Sequence, residues 1–155
     1  MAKKSVKKPA AITNRRAKFD YTLGDELVVG LALTGPETRA TRDGHIQLKG
    51  SYVAIKDNEL WLNNASFSLK LNQRGMAGVC SVDTSPRKLL AHRRQIDELA
   101  ARRQQGMTIV PLRLLTAGRH IKLVIALGKG KKRYDKRAAI RQRDQEREIR
   151  RNANI

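Results

Sequence analysis

The chain has 155 residues, with 33 Lys and Arg against 14 Asp and Glu, a net charge of +19 and a pI near 11.0. That length predicts one domain with some tail, and 40% hydrophobic residues suffice for a modest core. The charge points to a polyanionic partner, the short apolar runs exclude a transmembrane helix, and the lone Cys80 excludes an internal disulfide or an all-cysteine zinc site. The basic start Met1-Ala2-Lys3-Lys4 lacks the apolar stretch of a secretory signal, so a cytoplasmic location is expected.

The excess charge is uneven. Residues 1–18 hold seven basic side chains and no acid, and residues 129–151 hold eleven basic and four acidic ones. Residues 19–128 carry 15 basic and 10 acidic groups, so 14 of the 19 excess charges lie in the two terminal segments. A near-neutral body with cationic arms fits a globular core that offers basic segments to nucleic acid. A merely soluble surface needs a net charge of only a few units. A membrane surface is a weaker fit, because the tail has no Trp, Phe and Leu face to insert.

In chain order, residues 1–13 have no periodicity and predict a disordered basic N-terminal arm. Residues 21–33 predict a strand, with Gly30 allowing a bend or bulge, ended by Gly35-Pro36. Residues 37–43 predict a short helix, with Pro36 at its first position and Gly44 as its stop. Residues 51–55 and the alternating residues 59–63 predict two strands joined by an Asp57-Asn58 hairpin turn. Residues 69–83 are Gly-rich and polar and predict a mobile loop.

Ser85-Pro86 carries the strongest helix-start signal, with Ser85 as cap and Pro86 at the first position. Leu89, Ile96, Leu99 and Ala100 supply its apolar stripe, and Gly106 stops it. Its other face, with Arg87, Lys88, Arg93, Arg94, Arg102 and Arg103, is read equally as solvated surface and as a phosphate contact. Residues 109–115 and 121–127 predict two final strands. Several short strands under one covering helix favour a small antiparallel barrel, whose closure removes exposed edges.

Three segments are candidates for chemistry. In residues 128–137, Gly128 and Gly130 let the backbone approach a phosphate, Lys129, Lys131, Lys132 and Arg133 supply charge, and Tyr134 offers a stacking face. It is not a P-loop, because no Lys-Ser/Thr pair follows the glycines. Residues 14–21 mix Asn14, Arg15, Arg16 and Lys18 with Phe19 and Tyr21, which suits RNA; alternatively both rings are core residues of the first strand. In residues 136–151 the pairs Arg137–Arg141, Arg143–Arg147, Arg147–Arg151 and Asp144–Glu148 are like charges at i,i+4, and only Glu146–Arg150 opposes them. That pattern predicts a tail disordered alone and helical against RNA, with a plain solvated helix as the other reading.

Catalytic readings fare poorly. His45, His92 and His120 lack metal-ligand spacing, Cys80 has no neighbouring His, and the acids are not paired for a two-metal nuclease. No enzyme activity, metal or cofactor is expected.

The chain resembles the bacterial SsrA-binding protein (small protein B) family, the partners of transfer-messenger RNA, over residues 14–151. The resemblance is carried by Asn14-Arg15-Arg16-Ala17 with Tyr21, by Gly30-Leu31-Ala32-Leu33 with Gly35 and Glu37, and by Ser51-Tyr52-Val53. It continues through Arg87-Lys88-Leu89-Leu90 opening a helix and Ala126-Leu127 leading to Lys129-Gly130-Lys131-Lys132, and is most specific in Tyr134-Asp135-Lys136-Arg137. The departures are Val28 in place of an acid, Pro36, Thr41 and Gly50 in place of more typical residues, one missing arginine before Arg87, and Gly128 in place of Ala.

The resemblance implies a mainly β fold: an OB-type barrel over residues 14–130, with one long and one or two short covering helices, and a basic C-terminal tail over residues 131–155. It implies that Asn14, Arg15, Arg16, Tyr21, Arg87, Lys88, Lys129, Lys131 and Lys132 bind the tRNA-like domain of transfer-messenger RNA. It implies that Tyr134, Asp135, Lys136 and Arg137 meet the decoding centre of a stalled ribosome, with the tail helical in the empty mRNA channel. The protein would act as a monomer with the RNA, and an elongation factor and alanyl-tRNA synthetase would act through that RNA. The residues alone also fit a structural ribosomal protein with a barrel of this class.

Overall fold

A computed structural model describes residues 12–70 and 80–153. The chain begins with β1 (Ile12–Thr13), α1 (Arg15–Asp20), β2 (Tyr21–Leu31), α2 (Gly35–Arg42) and β3 (Ile46–Gln47). It continues through β4 (Tyr52–Lys56), β5 (Glu59–Asn63), β6 (Ser66–Lys70), β7 (Cys80–Asp83) and β8 (Arg87–Leu90). It ends with α3 (Arg93–Arg103), β9 (Thr108–Leu115), β10 (Lys122–Gly130) and α4 (Arg133–Ala153).

The main sheet has seven strands in the order β1-β9-β10-β2-β8-β5-β4, all pairings antiparallel. A further pairing, Val53 with Ile109, joins β4 to β9 and closes the ring. The expected barrel is therefore present. β9 shares its outer edge: Ile109 meets β4, while Arg113 and Leu114 meet β1. The interior is packed with Val29, Val53, Leu60, Leu62, Leu89, Ile109, Leu123 and Ile125, each at most 2% exposed. Burial of that many branched side chains is the main force holding the ring together.

Several local expectations hold. Asp57 and Asn58 both take left-handed backbone angles (φ 52° and 60°) in the β4–β5 turn, as a two-residue hairpin requires. At α2 the Glu37 carboxylate accepts the Thr34 N–H at 3.0 Å, and Gly44 ends the helix with φ 81°.

Other expectations are corrected. Ile12 and Thr13 belong to the sheet rather than to a disordered arm; residues 1–11 of that arm lie outside the described residues. Of the expected loop over residues 69–83, residues 69–70 and 80–83 are strand instead: β6 and β7 pair from Phe67–Asp83 to Lys70–Cys80, and β3 completes a second, three-stranded sheet, while residues 71–79 lie outside the described residues. Gly30 sits at no bulge. The β2–β10 register instead shifts between Ala126 and Gly128, opposite Glu26 and Leu23, and the β9–β10 register between Val124 and Ile125; a Cβ on Gly30 would come 3.1 Å from Leu90 Cβ, so the small residue serves close strand packing.

The largest correction concerns residues 86–106. Residues 87–90 form a strand, and the helix starts only after His92, whose N–H donates to Gln95 Oε1 at 3.0 Å. Leu89 lies opposite Leu31 on β2 and Leu60 on β5, and it is buried there as β8 joins those two strands. Only Ile96 and Leu99 of the expected stripe are buried on α3.

Candidate nucleic-acid interface

Antiparallel register builds the interface. Gly130 pairs with Tyr21 and Lys129 with Thr22, so the far end of β10 lies beside the start of β2. Two basic segments more than 100 residues apart in sequence thus become neighbours. Gly128 permits a tight fit here, because a Cβ on it would stand 3.0 Å from Tyr21 Cβ.

α1 rides on the outside of the barrel. Ala17 is buried against Val110, Leu112, Val124 and Ala126, with Tyr21 and Leu23 packed alongside. Asn14 anchors the helix: its Nδ2 donates to the Pro111 carbonyl at 3.0 Å and its N–H to the Leu112 carbonyl at 2.7 Å. Asn14 is thus buried rather than protruding, and it forms wall for two adjoining clefts of about 480 and 310 Å³. Arg16 and Lys49 line both clefts, Arg15 lines the smaller, and Tyr21 and the exposed Tyr52 line the larger. Cations and rings around an open cleft can meet phosphate and unpaired bases together.

Tyr21 is half-buried at the edge of the outer apolar cluster, so it combines the core and contact readings. Phe19 is also half-buried, but the cations of Arg16, Lys136 and Arg143 stand 5.3, 5.8 and 5.8 Å from its ring centre. Asp20 accepts from Arg16 Nε at 3.1 Å and from Lys136 Nζ at 3.0 Å. Partial burial pushes the Asp20 carboxyl up, but the hydrogen bonds and charges of Lys136 and Arg16 outweigh it and hold the group below its ordinary value.

The root of the tail sits against the same helix. Lys131 donates its N–H to the Asp20 carbonyl at 2.9 Å and its Nζ to the Lys18 carbonyl at 3.1 Å. Lys129, Lys132 and Arg137 are exposed. Asp135 accepts the Lys132 N–H at 3.3 Å, covering a free donor at the start of α4. Tyr134 is 65% exposed, with Lys132 Nζ 5.9 Å from its ring centre. α4 spans 21 residues, about 31 Å at 1.5 Å per residue, and none of its described residues is buried.

Arg87 and Lys88 do not join this site. β8 meets β2 at Gly30 and Leu31, about 30 Å along the strand from Tyr21. Arg87 is 7% exposed; its Nη2 lies 2.7 Å from Glu37 and 3.0 Å from Asp83, and its guanidinium stacks on Phe67 at 4.8 Å. A side chain enclosed in this way cannot offer its charge to a phosphate, so the expected RNA contact at Arg87 is withdrawn. Lys88 remains half-exposed, paired with Glu59 at 2.6 Å.

Lys49 at the cleft, the cleft position of Tyr52 (read from the sequence only as a mark of the resemblance) and the contacts of Phe19 with the tail escaped the sequence reading. Lys49-Gly50-Ser51-Tyr52 carries no local basic or aromatic pattern, and its place at the cleft depends on closure of the ring through β4 and β9. Among the described residues, no group of three or more His, Cys, Asp and Glu could hold a metal, and no helix is long and apolar enough to cross a membrane.

Comparison with known proteins agrees with this architecture. The family model described as "SmpB protein" matches residues 11–155. The SsrA-binding protein of Roseiflexus sp. (strain RS-1) is 44% identical over 139 residues, 89% of this chain and 87% of that protein. The SsrA-binding protein of Oenococcus oeni is 40% identical over 153 residues, 98% of this chain and 97% of its own. A solved chain from "tmRNA-SmpB: a journey to the center of the bacterial ribosome" superposes with a TM-score of 0.61 at 31% identity, covering 84% of this chain and 94% of that one. A cationic barrel with an exposed basic helix, matched along nearly its whole length in this way, belongs to the SmpB, or SsrA-binding protein, family.

Proposed function

We propose that this protein binds the tRNA-like domain of transfer-messenger RNA and delivers it to ribosomes stalled without a codon in the A site. The observation that carries the reading is the Lys129–Thr22 and Gly130–Tyr21 register, which brings the basic end of β10 and Lys131 against α1, the helix that carries Arg15 and Arg16 beside the clefts. Side chains on rigid elements bind a shaped RNA with less ordering cost than the same residues in a loose arm. The RNA would lie over α1 and the adjoining clefts, with Tyr21 and Tyr52 available for stacking and Asn14 holding the platform rather than touching bases.

In this reading α4 is the second contact surface. Tyr134, Asp135, Lys136 and Arg137 begin a helix whose remaining arginines are exposed, and its like-charge pairs repel until phosphates surround them. The tail would be disordered in the free protein and helical in the mRNA channel, with Tyr134 stacking in the decoding centre. The protein works by binding, as a monomer and without a reaction of its own. An elongation factor and alanyl-tRNA synthetase act on the RNA that it holds.

Sequencing the RNA that co-purifies with the tagged protein tests this. The expected result is one abundant small RNA with a tRNA-like end, present well below one copy per ribosome. Stable recovery on washed ribosomes at one copy each would instead assign a structural ribosomal role.

A further inference from the structure

The chain has one tryptophan, and it stands outside the core. Leu60 and Leu62 of β5 are fully buried, so alternation along the strand turns Glu59, Trp61 and Asn63 to the outside of the barrel. On β4 the same alternation buries Val53 and turns Tyr52, Ala54 and Lys56 outward. Trp61 lies opposite Ala54 on β4 and opposite Lys88 on β8, while Tyr52 lies opposite Asn63. Tyr52 and Trp61 are therefore diagonal neighbours on one face, a separation of about 7–8 Å. The helices pack chiefly elsewhere: α1 on β2 and β9, α2 on β6, α3 on β9 and β10. Tyr52 is 48% exposed and Trp61 half-buried, so the two rings form the floor of an open face rather than the filling of a core.

This face continues from the larger cleft, because Tyr52 belongs to both and lines that cleft with Arg16, Tyr21 and Lys49. Lysines flank the rings, with Lys49 beside Tyr52 at the cleft, Lys88 beside Trp61, and Lys56 at the far end of β4. Of the acids nearby, Glu59 is paired with Lys88 at 2.6 Å, and Asp57 stands in the turn at the far end. We propose that Tyr52 and Trp61 form a stacking platform that carries the larger cleft on across β4 and β5 and takes an unpaired stretch of RNA, with Lys49, Lys56 and Lys88 meeting its phosphates. This rests on the reading that the protein binds RNA. Every base has a π-face, so the platform adds affinity for single strands without reading their sequence. A fully paired RNA keeps its bases stacked on one another and offers the rings nothing.

The single tryptophan is its own probe in the full-length protein. Emission of Trp61 is followed while an oligouridylate of about six nucleotides, or a paired RNA of equal charge, is added. The platform predicts quenching by the single strand and little change with the duplex. Half-saturation should rise about tenfold in Tyr52→Leu. Lys56→Gln and Lys88→Gln should each lower the slope of log affinity against log salt by about one. In titrations with transfer-messenger RNA, Trp61→Leu should bind about tenfold more weakly and Trp61→Phe within about threefold of wild type, at unchanged thermal midpoints. Emission that ignores the oligouridylate, or answers the duplex equally, would overturn the platform. Equal losses in Trp61→Phe and Trp61→Leu would overturn the stacking role. Emission that ignores RNA but shifts with RNA-free ribosomal proteins would make this a protein-docking face and overturn the proposal. Wild-type protein that is quenched by the single strand yet fails to bind transfer-messenger RNA would instead overturn the function proposed above and leave the platform standing.

Discussion

Arg87 Nη2 lies 2.7 Å from Glu37 Oε1, and both residues are more than nine-tenths buried. Glu37 also accepts the Thr34 N–H, and Asp83 gives Arg87 a second carboxylate at 3.0 Å, so the guanidinium links α2, β7 and β8. The contacts are ionic rather than well-aligned hydrogen bonds, since neither Nε nor Nη2 has an acceptor in good geometry among the described residues. Removing one member leaves a buried charge alone. Arg87→Ala should therefore cost about 3–5 kcal/mol in urea unfolding. Glu37→Gln should be destabilising in the same direction. Either variant, once folded, should keep wild-type RNA affinity, because the triad lies away from the clefts.

Acid should weaken the fold through Asp83 and Asp20. The Asp83 carboxyl is held low chiefly by the Ser85 hydroxyl and N–H and then by Arg87, while Lys136 and Arg16 outweigh the burial of Asp20. Both groups bind protons less readily folded than unfolded. Their stabilisation is therefore present above the ordinary carboxylate value of 3.8 and disappears as pH falls through their depressed values. Unfolding midpoints should hold steady near neutrality and drop below about pH 4. Asp83→Asn should flatten part of that drop.

The RNA grip divides into residues that touch and residues that hold. Arg15→Ala, Arg16→Ala and Tyr21→Ala should each weaken RNA binding by roughly 1–3 kcal/mol in titrations at fixed salt. Lys49→Ala should also weaken binding and lower the slope of log affinity against log salt by about one. Asn14→Ala should show its loss first in thermal unfolding, because it removes the hydrogen bond to Pro111.

What could be read from the sequence was local. The Asp57-Asn58 turn needs only two residues with left-handed angles, and the Thr34–Glu37 and Gly44 limits of α2 lie within one segment. Residues 86–90 misled because Ser85-Pro86 imitates a helix start, and the apolar spacing of Leu89 fits either period. What decides is that the partners of Leu89, at Leu31 and Leu60, arrive from distant parts of the chain. There Ser85 caps nothing; it donates its N–H to Asp83 at 2.9 Å in a turn. The same limit applies to the site. Lys129 and Tyr21 were identifiable as a cation and a ring, but their proximity follows from the pairing of β10 with β2 across more than a hundred positions. Arg87 looked like surface because a basic run gives no sign of two acids converging on it from other elements.

Peptide tagging on ribosomes stalled at the end of a truncated message is the most direct measurement, comparing the intact chain with one ending after Arg133. The shortened chain keeps β10, α1 and both clefts, so it should bind transfer-messenger RNA with nearly full affinity yet add no tag. Wild-type tagging by the shortened chain, or loss of RNA binding together with the tail, would contradict an account in which the barrel holds the RNA and α4 engages the ribosome.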